Sequence, residues 1–343
     1  MNSSLRASRT AALAAAVLAA AACGAAPAPR GPAKPAEKAA AAWVDPFPLP
    51  KSCFNGNGSF NQETIVLEQK KRAAIISKKF GSNLDVSETA HYLVFSDADP
   101  GLTATFRQWC EPLYANLQRL LGMDPKERVW DGKCIILLLK SREEFLDYAT
   151  TYDCVDAGRW KAYYQAENSS PAYPVCMHIC FPAGVLAPKT LQDLFAHEGT
   201  HVFFRSYKGR VQMPLWLEEG LSEYVMVFND AALGPEKRAP AEAAVRAGKS
   251  VADLLQYPPT AVLTHEEYSL CYTLVDYLFS AGGPRMKTFI EALKRKAPQD
   301  SAMQTSFGFN LVGFQQRWRR SFGAEAAPKP RQQALRAPET NAP

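Results

Sequence analysis

Apolar positions follow two different rhythms along this chain. Between about Cys53 and Ala187, short runs of strand length alternate with stretches of helical spacing, whereas beyond Thr190 nearly every apolar position fits a helix. His91-Tyr92-Leu93-Val94-Phe95 and Cys134-Ile135-Ile136-Leu137-Leu138-Leu139 predict strands. From Thr103 to Leu121, Phe106, Trp109, Leu113, Leu117 and Leu120 recur at helical spacing. Ser141 with Glu144 three residues on has the form of a capping box and predicts a short helix through Phe145 and Tyr148. Further helices are predicted over Leu191–Tyr207, Leu215–Phe228, Ala241–Ala247, Tyr268–Ser280, Met286–Lys294 and Leu311–Phe322. Val175, Met177, Ile179 and Phe181 alternate with Cys176, His178 and Cys180, which predicts a strand with one buried face.

The pattern therefore implies an α+β fold: an N-terminal mixed α/β lobe with a small sheet over residues 51–187, then an all-helical lobe over residues 188–322. The ends are different. Residues 24–50 are mainly Ala, Pro and Lys, with too few large apolar side chains to build a core, and read as an extended tether. Residues 323–343 have a similar composition and predict a disordered tail.

The first 23 residues bear on the compartment. Arg6 and Arg9 precede the uncharged run Ala11 to Ala22, the arrangement of a secretory signal peptide. The run falls short of the roughly 20 apolar residues that a membrane-spanning helix needs. Leu18-Ala19-Ala20-Ala21-Ala22-Cys23-Gly24 resembles a bacterial lipobox, in which the cysteine is lipidated; Ala20 stands where a larger aliphatic residue is usual. Lipidation of Cys23 and ordinary signal-peptide cleavage both imply export, the first with a membrane anchor. Eight cysteines suit an oxidising compartment, and the seven beyond Cys23 are an odd number, so at least one does not pair within the chain. A net charge of +5, with lysines and arginines scattered, gives no clustered basic face for nucleic acid.

The candidate chemistry lies in His197-Glu198-Gly199-Thr200-His201. Thr190 as N-cap, with Asp193 three residues later, is expected to open its helix, and Gly209 to end it. Histidines at i and i+4 lie one turn apart on one face, so both imidazoles can reach a single ion. Zinc suits the pair, because it takes neutral imidazole nitrogen at about 2.0–2.1 Å in a tetrahedral arrangement. Glu198, beside the first histidine, projects differently and can move a proton at the open coordination position. Of the five histidines in the chain, two stand here at ligand spacing.

A catalytic zinc needs a third protein ligand. Pro214-Leu215-Trp216-Leu217-Glu218-Glu219-Gly220-Leu221-Ser222-Glu223 offers two adjacent glutamates, with Pro214 suited to the first helical turn. Glu219 has Glu223 one turn further on the same face, where it can accept the far N–H of a ligand histidine, whereas Glu218 has only Ser222. Glu219 is therefore the expected ligand. Gly199 and Gly220 each cost their helix about 1 kcal/mol relative to alanine. Close approach of the two helices to each other would explain both, and so would simple tolerance of glycine at these positions.

His197-Glu198-x-x-His201 followed by Trp216-Leu217-Glu218-Glu219-Gly220 resembles the gluzincin metallopeptidases, which include thermolysin-like and aminopeptidase N-like enzymes. The resemblance is strong over residues 191–224 and general beyond. It implies a zincin-like fold, a glutamate as third ligand on the following helix (again Glu219), and an acid one turn beyond, often aspartate and here Glu223. It also implies Zn2+ as cofactor, a peptide or protein substrate, and peptide-bond hydrolysis with Glu198 as general base. Gluzincins usually add a tyrosine or histidine that stabilises the oxyanion. Within His265-Glu266-Glu267-Tyr268-Ser269-Leu270-Cys271-Tyr272 that points to Tyr268, although Tyr268 and Tyr272, one turn apart, suit packing equally well. The strand before the metal helix often borders the substrate cleft in such folds, which would give Val175–Phe181 that place. Two other classes stay open: a non-catalytic envelope protein binding peptides or polymers, and a zinc hydrolase acting on a non-peptide bond.

Overall fold

Asp99 caps the helix that begins at Pro100 by accepting from Leu102 N–H (2.9 Å), three residues earlier than the apolar spacing alone indicates. Many boundaries in this protein are set in this way, by a polar residue just outside the periodic stretch. The computed structural model describes residues 50–81, 83–165 and 177–322. The expected signal peptide with Cys23, nearly all of the tether, the tail, and Val175 and Cys176 lie outside them.

The elements are α1 (Gln62–Phe80), β1 (Asp85–Glu88), β2 (Tyr92–Ser96), α2 (Pro100–Leu120), β3 (Cys134–Leu138), α3 (Arg142–Thr151), β4 (Tyr163–Gln165) and β5 (His178–Phe181). Helices follow: α4 (Pro188–Ser206), α5 (Leu215–Asn229), α6 (Gly234–Arg246), α7 (His265–Phe279), α8 (Gly283–Lys294), α9 (Gln299–Phe307) and α10 (Leu311–Ser321). The sheet has the order β1-β2-β3-β5-β4, with β2, β3 and β5 parallel and the outer strands β1 and β4 antiparallel to their neighbours. This is an α+β, zincin-like architecture, a small mixed sheet followed by a helical region. Among the described residues no helix is long and apolar enough to cross a membrane.

The central strands are apolar at nearly every position because both faces of the sheet are covered. Tyr92, Val94, Cys134, Ile136, Leu138, Ile179 and Phe181 join α2 and α4 in the larger core. Leu93, Phe95, Ile135, Leu137 and Cys180 face Phe145, Tyr148 and Ala149 of α3. This corrects the expectation of one buried face for β5. His178 is buried, with Nε2 2.7 Å from Asp153 Oδ2, which also accepts from Tyr163 O–H (2.6 Å). The strand at the edge is β4 rather than β5.

Helix starts show how side chains compete for caps. Ser141 accepts from Glu144 N–H (3.1 Å), but the Glu144 carboxylate turns to Lys140 (2.7 Å) instead of closing the box. Thr264 and Glu267 do close one at the start of α7. Thr190 is not the cap of α4. That helix starts at Pro188 with no side-chain cap, and Asp193 pairs with Lys189 and not with a backbone N–H. Pro214 lies one residue before α5, where its carbonyl accepts from Leu217 and Glu218. Cys53, Cys110, Cys134, Cys180 and Cys271 are buried free thiols that fill space in the core, and Cys154 is an exposed free thiol.

The two helical glycines do not face each other. A Cβ on Gly199 would meet Leu113 Cδ2 of α2 at 2.7 Å, and one on Gly220 would meet the Cys271 carbonyl oxygen of α7 at 2.5 Å. The leucine methyl can turn away, while the carbonyl belongs to a packed helix. Overpacking of this kind costs about 1–3 kcal/mol or more, against the roughly 1 kcal/mol that alanine gains in helix propensity. Gly220→Ala is therefore expected to lower the urea midpoint and Gly199→Ala to leave it nearly unchanged. Equal midpoints for the two variants would contradict this account of the α5–α7 contact.

Candidate metal centre

The helix α4 carries His197, Glu198 and His201 on one buried stretch, and α5 brings Glu219 and Glu223 against it. Imidazole and carboxylate can be buried here because they face one another. His197 Nε2 lies 3.2 Å from His201 Nε2, and each is 3.5 Å from Glu219 Oε2. Three ligands of a tetrahedral ion with bonds of about 2.0–2.1 Å would stand roughly 3.3–3.4 Å apart. The triangle of donors thus has the size that such an ion requires. Among the described residues, His197, His201 and Glu219 are the group of three or more His, Cys, Asp or Glu side chains that can hold a metal ion.

The carboxylates around this triangle have separate tasks. Glu198 is 1% exposed and its Oε2 has no hydrogen-bond partner; burial raises its proton affinity against the pull of His197 and His201. Glu219 also meets a burial penalty, but the two histidines outweigh it and hold the carboxyl at about 2. Glu223 Oε1 is 3.3 Å from His197 Nδ1, and its other oxygen pairs with Lys237 of α6. Burial alone would raise Glu223, and His197 with Lys237 hold it low. Burial would lower the affinity of His197 for a proton, yet Glu219 and Glu223 raise it well above the imidazole range. A proton and a divalent cation therefore compete for that ring.

The neighbouring glutamate points elsewhere. Glu218 Oε1 accepts from Met213 N–H (2.9 Å) and closes the turn into α5. The connection between α4 and α5 is held from the other side by Lys294, the last residue of α8. It donates to Gly209 O (3.1 Å) and Val211 O (2.8 Å). Burial pushes the Lys294 ammonium down to about 8.

Two tyrosines flank the group. Tyr268, in the first turn of α7, is buried, and burial with the charges of Glu219, Glu223 and Glu198 keeps its phenol protonated far above the usual range. Tyr272 is coupled instead to Asp276, Arg238 and Tyr224, and His265 is exposed. On the sheet side, Tyr164 of β4 stacks on His201, with ring centroids 5.1 Å apart and planes 20° from parallel. Burial and the charges of Glu218, Glu219 and Glu198 likewise raise its phenol, against Arg205. Sequence reasoning missed Tyr164 and Lys237. The first lies on a strand of three residues, too short for periodicity, and the second stands on a helix, α6, that shows no pattern pointing to the metal-bearing helices.

No curated protein matches the chain. Residues 191–324 match the family model of the Peptidase MA superfamily, a stretch that takes in most of α4 and all of α5 to α10 together with His197, His201 and Glu219, and the match supports a peptidase of the gluzincin-like superfamily.

Proposed function

We propose that this protein is a zinc metallopeptidase that hydrolyses peptide bonds in peptide or protein substrates. The observation that carries the proposal is the triangle of donors, His197 Nε2, His201 Nε2 and Glu219 Oε2, spaced 3.2–3.5 Å apart. Zinc bound there would supply Lewis acidity and make water nucleophilic near neutral pH. Glu198 takes the proton of the attacking water and passes it to the leaving amine, a role suited to a buried carboxylate with raised proton affinity. Glu223 Oε1, 3.3 Å from His197 Nδ1, is placed to take the proton of that nitrogen and so would leave Nε2 to the ion. Tyr268, kept protonated, donates to the oxyanion as water adds to the carbonyl. Tyr164 stacks on His201 and fixes its plane. An extended substrate can add to the sheet beside β4, the outer strand that carries this tyrosine.

The N-terminal Arg6, Arg9 and the apolar run to Ala22 support export, with Cys23 as the site of a lipid anchor to the cell envelope.

The test is a metal analysis joined to an unbiased peptide-library digest. Purified protein is expected to carry one zinc per chain and to cleave library peptides. Chelation is expected to abolish cleavage and lower the melting temperature, and zinc to restore both. Undiminished cleavage by metal-free protein would sink the proposal.

A further inference from the structure

We infer that Lys237 is a positioning residue for the metal centre, holding the Glu223 carboxylate in the orientation that turns His197 Nε2 toward the ion. This rests on the metal-centre reading above and adds to it a residue on a third helix.

Three observations carry the inference. Glu223 is 1% exposed, so each of its oxygens must find a partner inside the protein. The partners differ: Oε1 faces His197 Nδ1 at 3.3 Å, and Oε2 takes the Lys237 ammonium. A carboxylate is a planar fork, so a cation fixed on one oxygen sets where the other points. With Lys237 removed, the freed oxygen has no donor and the side chain can rotate, carrying Oε1 away from the imidazole.

The third observation is that Lys237 is itself held in place. Pro240 lies inside α6 and interrupts its ladder. Ser269 of α7 spans the gap: Ala241 N–H donates to Ser269 Oγ (2.9 Å), and that hydroxyl donates to Lys237 O (2.5 Å). Ser269 follows Tyr268, and α7 is the helix whose Cys271 carbonyl abuts Gly220 of α5. The Lys237 backbone is thus tied to the helix that packs directly beside Glu219. A solvated surface lysine would need no such anchoring, and the Lys237 side chain is only 19% exposed.

The sign of the effect separates positioning from simple charge. A cation near a Zn2+ site repels the ion, so removing one that did nothing else would tighten zinc binding. Positioning predicts the opposite. The experiment is a zinc titration against a competing chelator, on the full chain, for the wild type, Lys237→Met, Lys237→Arg, Glu223→Ala and the double variant. Lys237→Met is expected to weaken zinc by roughly 10–100-fold, the usual loss when a partner of a ligand histidine is disturbed. Lys237→Arg should recover most of it. In the Glu223→Ala background, Lys237→Met should add little, because the lysine acts only through that carboxylate. Circular dichroism and melting of the metal-free proteins show which variants fold, and Lys237→Gln takes the place of Lys237→Met if the latter does not. Unchanged or tighter zinc binding in the folded lysine variant, or a full second loss in the double variant, overturns the inference while leaving the metal centre intact. No zinc binding by the wild type overturns both.

Discussion

Glu198→Gln is expected to keep its zinc and to lose roughly 10²–10⁴-fold in kcat, the usual contribution of a positioned general base. The substitution conserves shape and hydrogen-bonding reach but removes the ability to take a proton. Glu198 is not one of the three donors that converge, so the cation has no reason to leave. Its Oε2 is buried without a hydrogen-bond partner, so the amide that replaces it breaks no bond within the protein. The measurement is hydrolysis of a peptide selected from the library, with zinc content determined on the same sample. Equal hydrolysis by wild type and variant would refute the assigned chemistry, and loss of the metal would place Glu198 in the coordination sphere.

The second large effect concerns two adjacent glutamates with unlike surroundings. Glu219→Ala is expected to release zinc by more than the roughly 10–100-fold that loss of a supporting partner costs, because it removes one of the three proposed ligands. It also leaves His197 and His201 without the carboxylate that each faces at 3.5 Å. Glu218→Ala is expected to retain zinc and lose about 0.5–1.5 kcal/mol of stability, the worth of its hydrogen bond from Met213 N–H. Zinc affinities and denaturation curves for the two variants decide between them. Full zinc content in Glu219→Ala together with loss in Glu218→Ala would reverse the assignment.

Much of the site could be read from the sequence because its parts are local. His197 and His201 share a helix face by spacing alone, and Glu219 with Glu223 repeats that spacing on the next helix; the structure brings the two faces together. The apolar runs of β2 and β3 are visible for the same reason, since a strand covered on both faces needs no polar position. What escaped depends on neighbours distant in the chain. α1 is polar along most of its length and takes its start from Asn61, which accepts from Thr64 N–H. Nothing in the alternation around His178 discloses that Asp153 and Tyr163 wait inside to bond it. Gly220 announces a close approach but not its partner, which is a carbonyl of α7 rather than α4. Likewise, Thr190 has the chemistry of a cap but lies inside the helix, which Pro188, with its fixed φ, starts three residues before the predicted Leu191.

The buried ammonium of Lys294, bonded to the carbonyls of Gly209 and Val211, limits how far the protein can be trimmed. A fragment ending after α7 would retain every proposed ligand, yet it would leave those two carbonyls without their donor and the α4–α5 link without its tether. Trp216 would also lose the Gln299 side chain that accepts from its indole N–H (3.0 Å). The smallest autonomous unit able to hold an ion therefore reaches well past the last ligand in the chain, and shortened versions should be designed from the far end of the helical region inward.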